Sequence, residues 1–309
     1  MPKFSITIPA YKKQYLAECI NSILFQTISD FEIVIVNDAS PEDLDVVVSE
    51  FSDSRIRYYK NEKNFGAIDV VDNWNKCLEY AKGEYIICLG DDDVLLPCCL
   101  EEYSRLIDKY PGLGVYHAWT EIIDENSQYV NITAARCEYE SVYSLIWHRW
   151  DNRKQQFIGD FLFETKLLRE NGGFYKLPLA WSSDDITSVI AAKSKGIANT
   201  QRLCFCYRIN SQNISNTGNV SIKLESIRRE EEWYNSFLNK EPESELDIKY
   251  WKCIKTMQPR FFEKKRALTI AKDIRNHSLF RVFYWLYRMK KYELTFKSIA
   301  YSTVLSLKG

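Results

Sequence analysis

Short apolar runs alternate with amphipathic segments along the first part of the chain. The run 4–8 (FSITI) is rich in β-forming residues, and the run 31–36 (FEIVIV) is continuously apolar. Runs of this kind are typical of strands that are buried on both faces of a sheet. Between the two runs, apolar residues recur at helical spacing from 16 to 24. The pattern predicts an α/β domain with a mostly parallel sheet flanked by helices.

The same alternation continues to an Asp-rich segment at 91–93 and, less regularly, beyond it. Segment 124–160 is aromatic but has no periodic pattern, so we expect it to be irregular. Glycine, proline and short polar clusters bound the other elements. We predict strands at 56–59, 84–89, 115–123 and 203–209, and helices at 44–51, 70–81, 100–109 and 186–192.

The character of the sequence changes after the last predicted strand, because strand patterns stop and only helical patterns remain. We therefore divide the chain into an α/β domain at 1–218 and a helical C-terminal extension at 219–309. The helices predicted in the extension are 220–240, 246–256 and 261–305.

Charge is distributed unevenly between these two parts. The formal net charge is -1, yet residues 255–309 contain 13 Lys or Arg and 3 Asp or Glu. A net charge near zero argues against a general nucleic-acid-binding protein, so we expect no nucleic-acid partner. A basic tail on an acidic body instead suggests a membrane surface or another polyanion.

The start of the chain and its cysteines favour a cytoplasmic location. No export signal opens the sequence, and the nine cysteines lack the spacing of a disulfide framework. No run reaches the roughly 18 apolar residues of a membrane-spanning helix. Segment 278–305 mixes aromatic and basic residues, so it either lies in the membrane interface or packs on the α/β domain. The first alternative would place the protein peripherally on the inner face of the membrane.

Polar and acidic clusters follow three of the predicted strands. They are Asn37-Asp38, the turn 64–66 and the three aspartates 91–93. Ligands of open α/β sheets bind at the carboxyl ends of the strands. Adjacent carboxylates either form a solvated loop or bind a hard cation such as Mg²⁺ or Mn²⁺ together with phosphate oxygens. Their position after a buried strand favours the metal–phosphate site.

The ordered set of these motifs resembles the family 2 glycosyltransferases of the GT-A fold. The similarity extends to about residue 218, and no single motif in it is specific by itself. The segments and residues that carry it are 5–11 (SITIPAY), Leu16, Ile20, Ser22, Ile23, Gln26, Thr27, 31–40 (FEIVIVNDAS), Asn64, Gly66, Asn73, 81–86 (AKGEYI), 91–93 (DDD), Pro97, 172–174 (GGF), 184–185 (DD) and 207–208 (YR).

The resemblance implies a role for each matching residue. Asp38 would accept a hydrogen bond from the base, usually uracil, and Asp91 would contact ribose or sugar hydroxyls. Asp92 would ligate a Mg²⁺ or Mn²⁺ ion that bridges the donor diphosphate, with Asp93 beside it. The full set assigned to the nucleotide and donor sugar is Pro9, Ala10, Tyr11, Asp38, Asn64, Gly66 and Asp91.

The sequence departs from the family pattern at four positions. Lys12 stands where an Asn is usual, and Asn37 stands where the first of two aspartates is usual. Gly90 replaces the first acid of the usual DxD-type motif, which shifts the acids to 91–93 and leaves open which of them binds the metal. Asn210 replaces a frequent His after the Tyr-Arg pair.

The resemblance also implies the chemistry. The enzyme would transfer a sugar from a UDP-sugar donor to a saccharide or lipid-linked saccharide acceptor, with inversion at the anomeric carbon. Asp185, or its neighbour Asp184, would remove the proton from the acceptor hydroxyl as general base. The alternative for both aspartates is a capping role at the start of the predicted helix 186–192.

Two other function classes compete with sugar transfer. A nucleotidyltransferase could share a nucleotide-binding sheet and an acidic metal site, but the loop after the first strand has no phosphate-binding glycines. A binding module without catalytic activity would keep only the fold. The joint presence of Asp38, the acids at 91–93 and the pair Asp184-Asp185 argues against it.

Overall fold

The computed structural model describes residues 1–210 and 219–307. The strands among these residues belong to one mixed sheet. They are β1 Phe4–Ala10, β2 Phe31–Asn37, β3 Ile56–Lys60, β4 Tyr85–Cys88, β5 Val94–Leu95, β6 Val115–Ile123, β7 Tyr129–Ile132, β8 Tyr139–Glu140, β9 Phe161–Glu164 and β10 Ile197–Arg208.

The sheet confirms the predicted α/β fold. Its strand order is β3-β2-β1-β4-β9-β6-β10-β5, with β7 paired to β6 and β8 paired to β10. Strands β3, β2, β1 and β4 run parallel, as do β6 and β10. Strand β9 is antiparallel to both of its neighbours and joins the two parallel groups. Every residue of β2 is buried, which explains its predominantly apolar sequence.

Helices flank the sheet and build the predicted extension. Most of the helices predicted for the α/β domain are confirmed within a few residues at their ends. The helices are α1 Leu16–Leu24, α2 Leu44–Ser49, α3 Val70–Tyr80, α4 Cys99–Lys109, α5 Val142–Trp150, α6 Thr165–Glu170, α7 Ser183–Ala192, α8 Val220–Phe237, α9 Glu245–His277, α10 Arg281–Tyr287 and α11 Phe296–Ser306.

The expectation that segment 124–160 is irregular is wrong. It contains β7, β8 and α5, whose first turn is capped by the Ser141 hydroxyl accepting from Ser144 N at 3.2 Å. The residues of β7 are all exposed, so no burial alternation marked this strand. Helix α5 is only nine residues long, and aromatic residues elsewhere around it obscured its buried side.

In the extension, the helix predicted at 220–240 is confirmed as α8, but the boundaries predicted for the two later helices are wrong. Helix α9 runs without interruption through Pro259, because buried residues such as Ile254 and Phe262 hold it against the protein on both sides of the proline. It ends at His277, where Ser278 adopts an extended conformation with φ of -179°. The residues after this point form two short helices and not one continuous basic helix.

The extension shares a hydrophobic core with the α/β domain. Trp150 of α5 stacks on Phe261 of α9 with ring centroids 4.6 Å apart, and it meets Tyr234 of α8 edge to face at 4.8 Å. The same core includes Trp285 of α10. The boundary predicted between 218 and 219 adjoins residues outside the described part of the chain and stays a prediction.

Candidate active site

A cavity of about 710 Å³ opens at the carboxyl ends of the parallel strands. We call it the acidic cavity. Ten of the eleven site residues expected from the sequence line it: Pro9, Tyr11, Asp38, Asn64, Gly66, Asp91, Asp92, Asp93, Asp184 and Asp185. Ala10 does not, because its side chain is fully buried within the sheet. The volume lies within the range of small-molecule sites.

The sheet order brings the clusters at 37–38 and 91–93 to the same edge of the sheet. Strand β1 lies between β2 and β4, so the loops after these three strands meet at one edge. Asp91 Oδ2 accepts hydrogen bonds from the backbone N–H groups of Tyr11 and Lys12, both at 2.7 Å. Burial, and then the neighbouring charge of Asp92, raises the pKa of Asp91 to about 6. Asp91 therefore joins the loop after β1 to the loop after β4.

Asp38 is held by the next loop along the chain. Its Oδ1 accepts from Asn61 Nδ2 at 3.0 Å and from the backbone N–H of Phe65 at 3.1 Å. Gly66 follows with a φ of +75°, a conformation that costs other residues energy and glycine little. The turn 64–66 is therefore held against Asp38. The side chain of Asp38 also lines the cavity.

Asp92 and Asp93 differ in their surroundings. Asp92 Oδ2 accepts from Asn210 Nδ2 at 2.6 Å and from Lys12 Nζ at 3.3 Å. Asp93 is buried, and its Oδ1 accepts from the backbone N–H of Arg208 at 3.0 Å. A Cβ at position 90 would lie 2.7 Å from Asp93 Oδ2, so Asp93 fills space that an acidic side chain at Gly90 would need.

The donor set fits a divalent cation that is shared with a substrate. In the described part of the chain, no group of three or more His, Cys, Asp or Glu residues is arranged to hold a metal by itself. Asp92 Oδ1, however, accepts no hydrogen bond from any described residue, and the side chain reaches the cavity. Mg²⁺ commonly takes one or two carboxylates and completes its shell with phosphate oxygens and water. Asp92 suits that role better than Asp93.

The aspartate pair at the start of α7 occupies the same cavity. Asp185 Oδ1 accepts from Arg149 Nε at 2.8 Å and from Gln156 Nε2 at 2.7 Å. Burial acts to raise the pKa of Asp185, but the charges of Arg149 and Lys265 outweigh it and lower the pKa. Burial, followed by the charge of Asp185, raises the pKa of Asp184 to about 7. The two neighbours are therefore in opposite electrostatic environments.

The segment that leads into this pair has a strained backbone. Leu179, Ala180 and Ser182 have φ values of 61°, 51° and 72°, and all three line the acidic cavity. Positive φ in non-glycine residues persists where the surroundings enforce it and is frequent at functional sites. Lys265 of α9 helps to enforce it, because its Nζ donates to Ser182 Oγ at 2.5 Å.

Several residues on the cavity wall had no role in the sequence prediction. Arg149 and Lys265 reach the site from α5 and α9, so no local motif connects them with Asp185. Phe157 stacks on Tyr207 with ring centroids 3.7 Å apart. Tyr207 belongs to the Tyr-Arg motif, and that motif was the signal that could have identified it. Trp150, by contrast, is buried in the core, where it packs on Phe261.

Comparison with known proteins agrees with the fold and the motifs. The family model for Glycosyl transferase family 2 matches residues 5–172. The UDP-Glc:alpha-D-GlcNAc-diphosphoundecaprenol beta-1,3-glucosyltransferase WfgD of Escherichia coli is 33% identical over 124 residues, which cover 40% of this chain and 47% of the relative. The GalNAc(5)-diNAcBac-PP-undecaprenol beta-1,3-glucosyltransferase of Campylobacter jejuni is 37% identical over 112 residues, 35% of each protein. The chain thus spans less than half the length of these relatives.

Solved structures resemble the whole chain. The S. aureus TarS 1–349 complex with UDP-GlcNAc gives a TM-score of 0.66 at 16% identity and covers 99% of this chain and 90% of TarS 1–349. The mannosyltransferase PcManGT of Pyrobaculum calidifontis, solved with GDP-Man and Mn²⁺, gives a TM-score of 0.57 at 14% identity, with 99% and 86% covered. At such identities the likeness concerns the fold alone. Because the family model matches more than half of the residues, the chain belongs to glycosyl transferase family 2.

Proposed function

We propose that the protein transfers a sugar from a nucleotide-diphosphate donor, most simply a UDP-sugar, to a saccharide acceptor that is linked to a lipid. One observation carries this proposal. The acidic loop after β4 and the aspartate pair at the start of α7 line a single cavity, although they are about 90 residues apart in the chain. Sugar transfer needs a cation that stabilises the leaving group and a base that accepts a proton. The acidic loop would bind the cation, and the aspartate pair would supply the base.

The donor would bind against the edge formed by β1, β2 and β4. Asp38 and the turn at Asn64 would contact the base and sugar, and the side chain of Tyr11 would cover the nucleotide. Asp92 would hold Mg²⁺ or Mn²⁺, which stabilises the departing diphosphate as a Lewis acid when bound. The choice of UDP is supported by the Escherichia coli relative WfgD, whose name specifies UDP-Glc as the donor.

Asp185 is our assignment for the general base. Arg149 and Gln156 hold its carboxylate in one orientation and keep it ionised across the neutral range. Geometry takes precedence over pKa in such an assignment, because a base must first reach the proton that it removes. With a base on the acceptor side and the diphosphate on the other, a single displacement would invert the anomeric centre.

The lipid-linked acceptor is inferred from the two bacterial relatives, whose names specify undecaprenol-linked acceptors. The matched segments cover only part of those proteins, so the acceptor class belongs to the proposal. An enzyme with such an acceptor would work at the cytoplasmic face of the membrane. Among residues 1–210 and 219–307, no helix is long and apolar enough to serve as a membrane span.

The test is a screen of nucleotide sugars in the presence of Mn²⁺, read as nucleotide release, with Asp185→Asn as the matched variant. We expect one donor to be used, with transfer by Asp185→Asn reduced at least about 100-fold, since general bases contribute about that much or more. Nucleotide binding should stay near normal in this variant. Full transfer activity in Asp185→Asn would refute the assignment, and release of pyrophosphate from a nucleoside triphosphate would favour a nucleotidyltransferase instead.

Membrane contact through the C-terminal helices is part of the same proposal. Around α10, Phe280, Phe283 and Tyr287 are 81%, 69% and 91% exposed, and basic residues follow at 290 and 291. Aromatic and basic residues together suit an anionic membrane interface. The single continuous basic helix expected from the sequence is not needed for this contact.

Surface substitutions test the membrane contact better than truncation, because Trp285 of α10 is part of the shared core. We expect Phe280→Ser combined with Phe283→Ser to reduce co-sedimentation with phosphatidylglycerol vesicles at least about fivefold. Phe25→Ser is the matched control, since Phe25 is 73% exposed on a different helix end. Equal sedimentation of the double variant and the wild type would remove α10 as the contact.

A further inference from the structure

Lys12 is a basic residue on the wall of the acidic cavity, in the loop that follows β1. Its Nζ lies 3.3 Å from Asp92 Oδ2. The side chain of Lys12 is 24% exposed and lines the cavity, so part of it is accessible to a ligand there. The ammonium group therefore lies at the carboxylate that we assign to the divalent cation.

The other basic residues of the cavity wall have acidic partners on the acceptor side. Among the described residues that line the acidic cavity, the basic ones are Lys12, Arg149 and Lys265. Arg149 Nε donates to Asp185 Oδ1 at 2.8 Å, and Lys265 Nζ donates to Glu230 Oε2 at 2.6 Å. Of these three, Lys12 is the one beside the loop that follows β4.

Arg208 also contacts this loop, but it does not line the cavity. Its side chain is fully buried, and the guanidinium donates to the backbone oxygen of Asp92 at 2.7 Å and to Glu18 Oε2 at 2.8 Å. Arg208 thus supports the loop from behind. An anion that entered the cavity beside Asp92 would contact Lys12.

The backbone of Lys12 is fixed, whereas its ammonium group can accept further ligands. The backbone N–H donates to Asp91 Oδ2 at 2.7 Å, which ties the loop after β1 to the loop after β4. In the described part of the chain, the ammonium group has one acceptor, Asp92 Oδ2. An ammonium group carries three N–H donors. Two of them can therefore bond to oxygen atoms of a ligand without breaking the contact with Asp92.

A bound nucleotide diphosphate would lie against carboxylates and needs positive charge beside it. Asp38, Asp91 and Asp92 line the part of the cavity that we assign to the donor. Like charges repel, so these side chains disfavour a diphosphate unless cations offset them. Lys12 contacts Oδ2 of Asp92 and leaves Oδ1 for a divalent cation. The ammonium group and the cation could thus act on the same diphosphate.

We propose that Lys12 binds the terminal phosphate of the donor diphosphate, which carries the sugar, together with the cation on Asp92. The inference rests on the proposed function and adds a donor-binding residue to it. When the bond between the sugar and this phosphate breaks, the electron pair stays on the phosphate oxygen. The ammonium group remains protonated and stabilises the added negative charge. Lys12 also maintains part of the affinity for the donor when no divalent cation is bound.

The test compares Lys12→Gln with the wild type by titration calorimetry of UDP and UMP in EDTA. We expect the substitution to raise the Kd for UDP about tenfold, because a charge-assisted hydrogen bond is lost. The Kd for UMP should change less than about twofold, since UMP lacks the terminal phosphate. In Mn²⁺ the loss for UDP should shrink to about threefold, because the cation then carries part of the charge. Equal losses for UDP and UMP would overturn the proposal.

Lys13→Gln is the matched control. Lys13 is the next residue in the same loop, but it is exposed and does not line the cavity. The control removes the same charge from the protein and should bind UDP like the wild type. A loss in Lys13→Gln as large as that in Lys12→Gln would mean that net charge is the cause, which overturns a specific contact.

Binding of Mn²⁺ without nucleotide should change in the opposite direction. The ammonium group beside Asp92 repels a second cation, so Lys12→Gln should bind Mn²⁺ about threefold more tightly in electron paramagnetic resonance titrations. A substitution that only disturbed the loop would weaken the binding of both Mn²⁺ and UDP. Weaker Mn²⁺ binding by Lys12→Gln would therefore overturn the proposal.

The same titrations separate the inference from the proposed function. If the wild type binds UDP and Lys12→Gln binds it equally well in EDTA, the inference is refuted and the proposed function stands. If the wild type binds no UDP either in Mn²⁺ or in EDTA, the proposed function fails and the inference fails with it.

Discussion

The substitution Asp184→Asn should make the protein more stable, and the gain should grow with pH. In the folded protein the pKa of Asp184 is raised from 3.8 to about 7, first by burial and then by the charge of Asp185. The charge of Arg149 lowers this pKa, and the charge of Asp160 raises it further. The folded state therefore binds the Asp184 proton more tightly than the unfolded state does. Stability is lost as pH rises from about 4 to about 7 and stays lower above that range.

The magnitude follows from the size of the shift. About three pKa units at about 1.4 kcal/mol each correspond to a cost of about 4 kcal/mol above pH 7. Asp184 also lies in the first turn of α7, where the helix dipole favours an acidic residue by up to about 1 kcal/mol. We therefore expect Asp184→Asn to raise the free energy of unfolding by about 3 kcal/mol at about pH 8 and by about 1 kcal/mol or less at about pH 5.

Urea denaturation of both proteins across this pH range measures the effect. The neighbouring substitution Asp185→Asn is the matched control and should act in the opposite direction. It removes a carboxylate that Arg149 and Gln156 stabilise, so it should lower stability by about 1 to 3 kcal/mol. A gain for Asp184→Asn that did not change with pH would show that protonation is not its cause. A loss of stability at every pH would refute the electrostatic reasoning altogether.

Three other predictions concern the acidic cavity. Asp92→Ala should raise the Kd for UDP in Mn²⁺ about tenfold or more and leave the Kd in EDTA unchanged, and unchanged affinity in Mn²⁺ calorimetry would remove Asp92 from the metal site. Asp38→Ala should weaken UDP binding about tenfold both with and without Mn²⁺, and an effect confined to Mn²⁺ would contradict a base-contacting role. Arg149→Gln should raise the pKa of Asp185 and move the acid limb of the kcat profile to higher pH, so activity should recover at alkaline pH. A uniform loss at all pH values would point to a structural role for Arg149.

Six of the ten described strands were predicted from the sequence, because apolar and aromatic residues are concentrated in their short runs, whereas β5, β7, β8 and β9 and the strand order were not. Strand β2 is buried on both faces, and its seven residues include only two polar ones. The loops after β1, β2 and β4 could be placed together because parallel strands bring their carboxyl ends to one edge. Ten of the eleven expected residues consequently line one cavity, whereas Ala10 faces into the sheet.

The structure alone showed how the individual carboxylates differ. Asp91, Asp92 and Asp93 are adjacent in sequence, yet the first bonds two backbone amides, the second faces the cavity and the third is buried against the backbone of Arg208. These differences depend on partners in the loop after β1 and in β10, more than 70 residues away in either direction. No local pattern encodes them.

The same limit applies to the C-terminal third. By itself the sequence predicted a helical extension and determined that 255–309 are basic, because composition and periodicity are local properties. Only the tertiary structure decided that α9 continues through Pro259. It also brought Arg149 and Lys265 to the segment that contains the aspartate pair, and it placed lysines of α8 and α9 around a second cavity. Packing between distant segments determines these features, since burial and charge depend on every element that surrounds a residue.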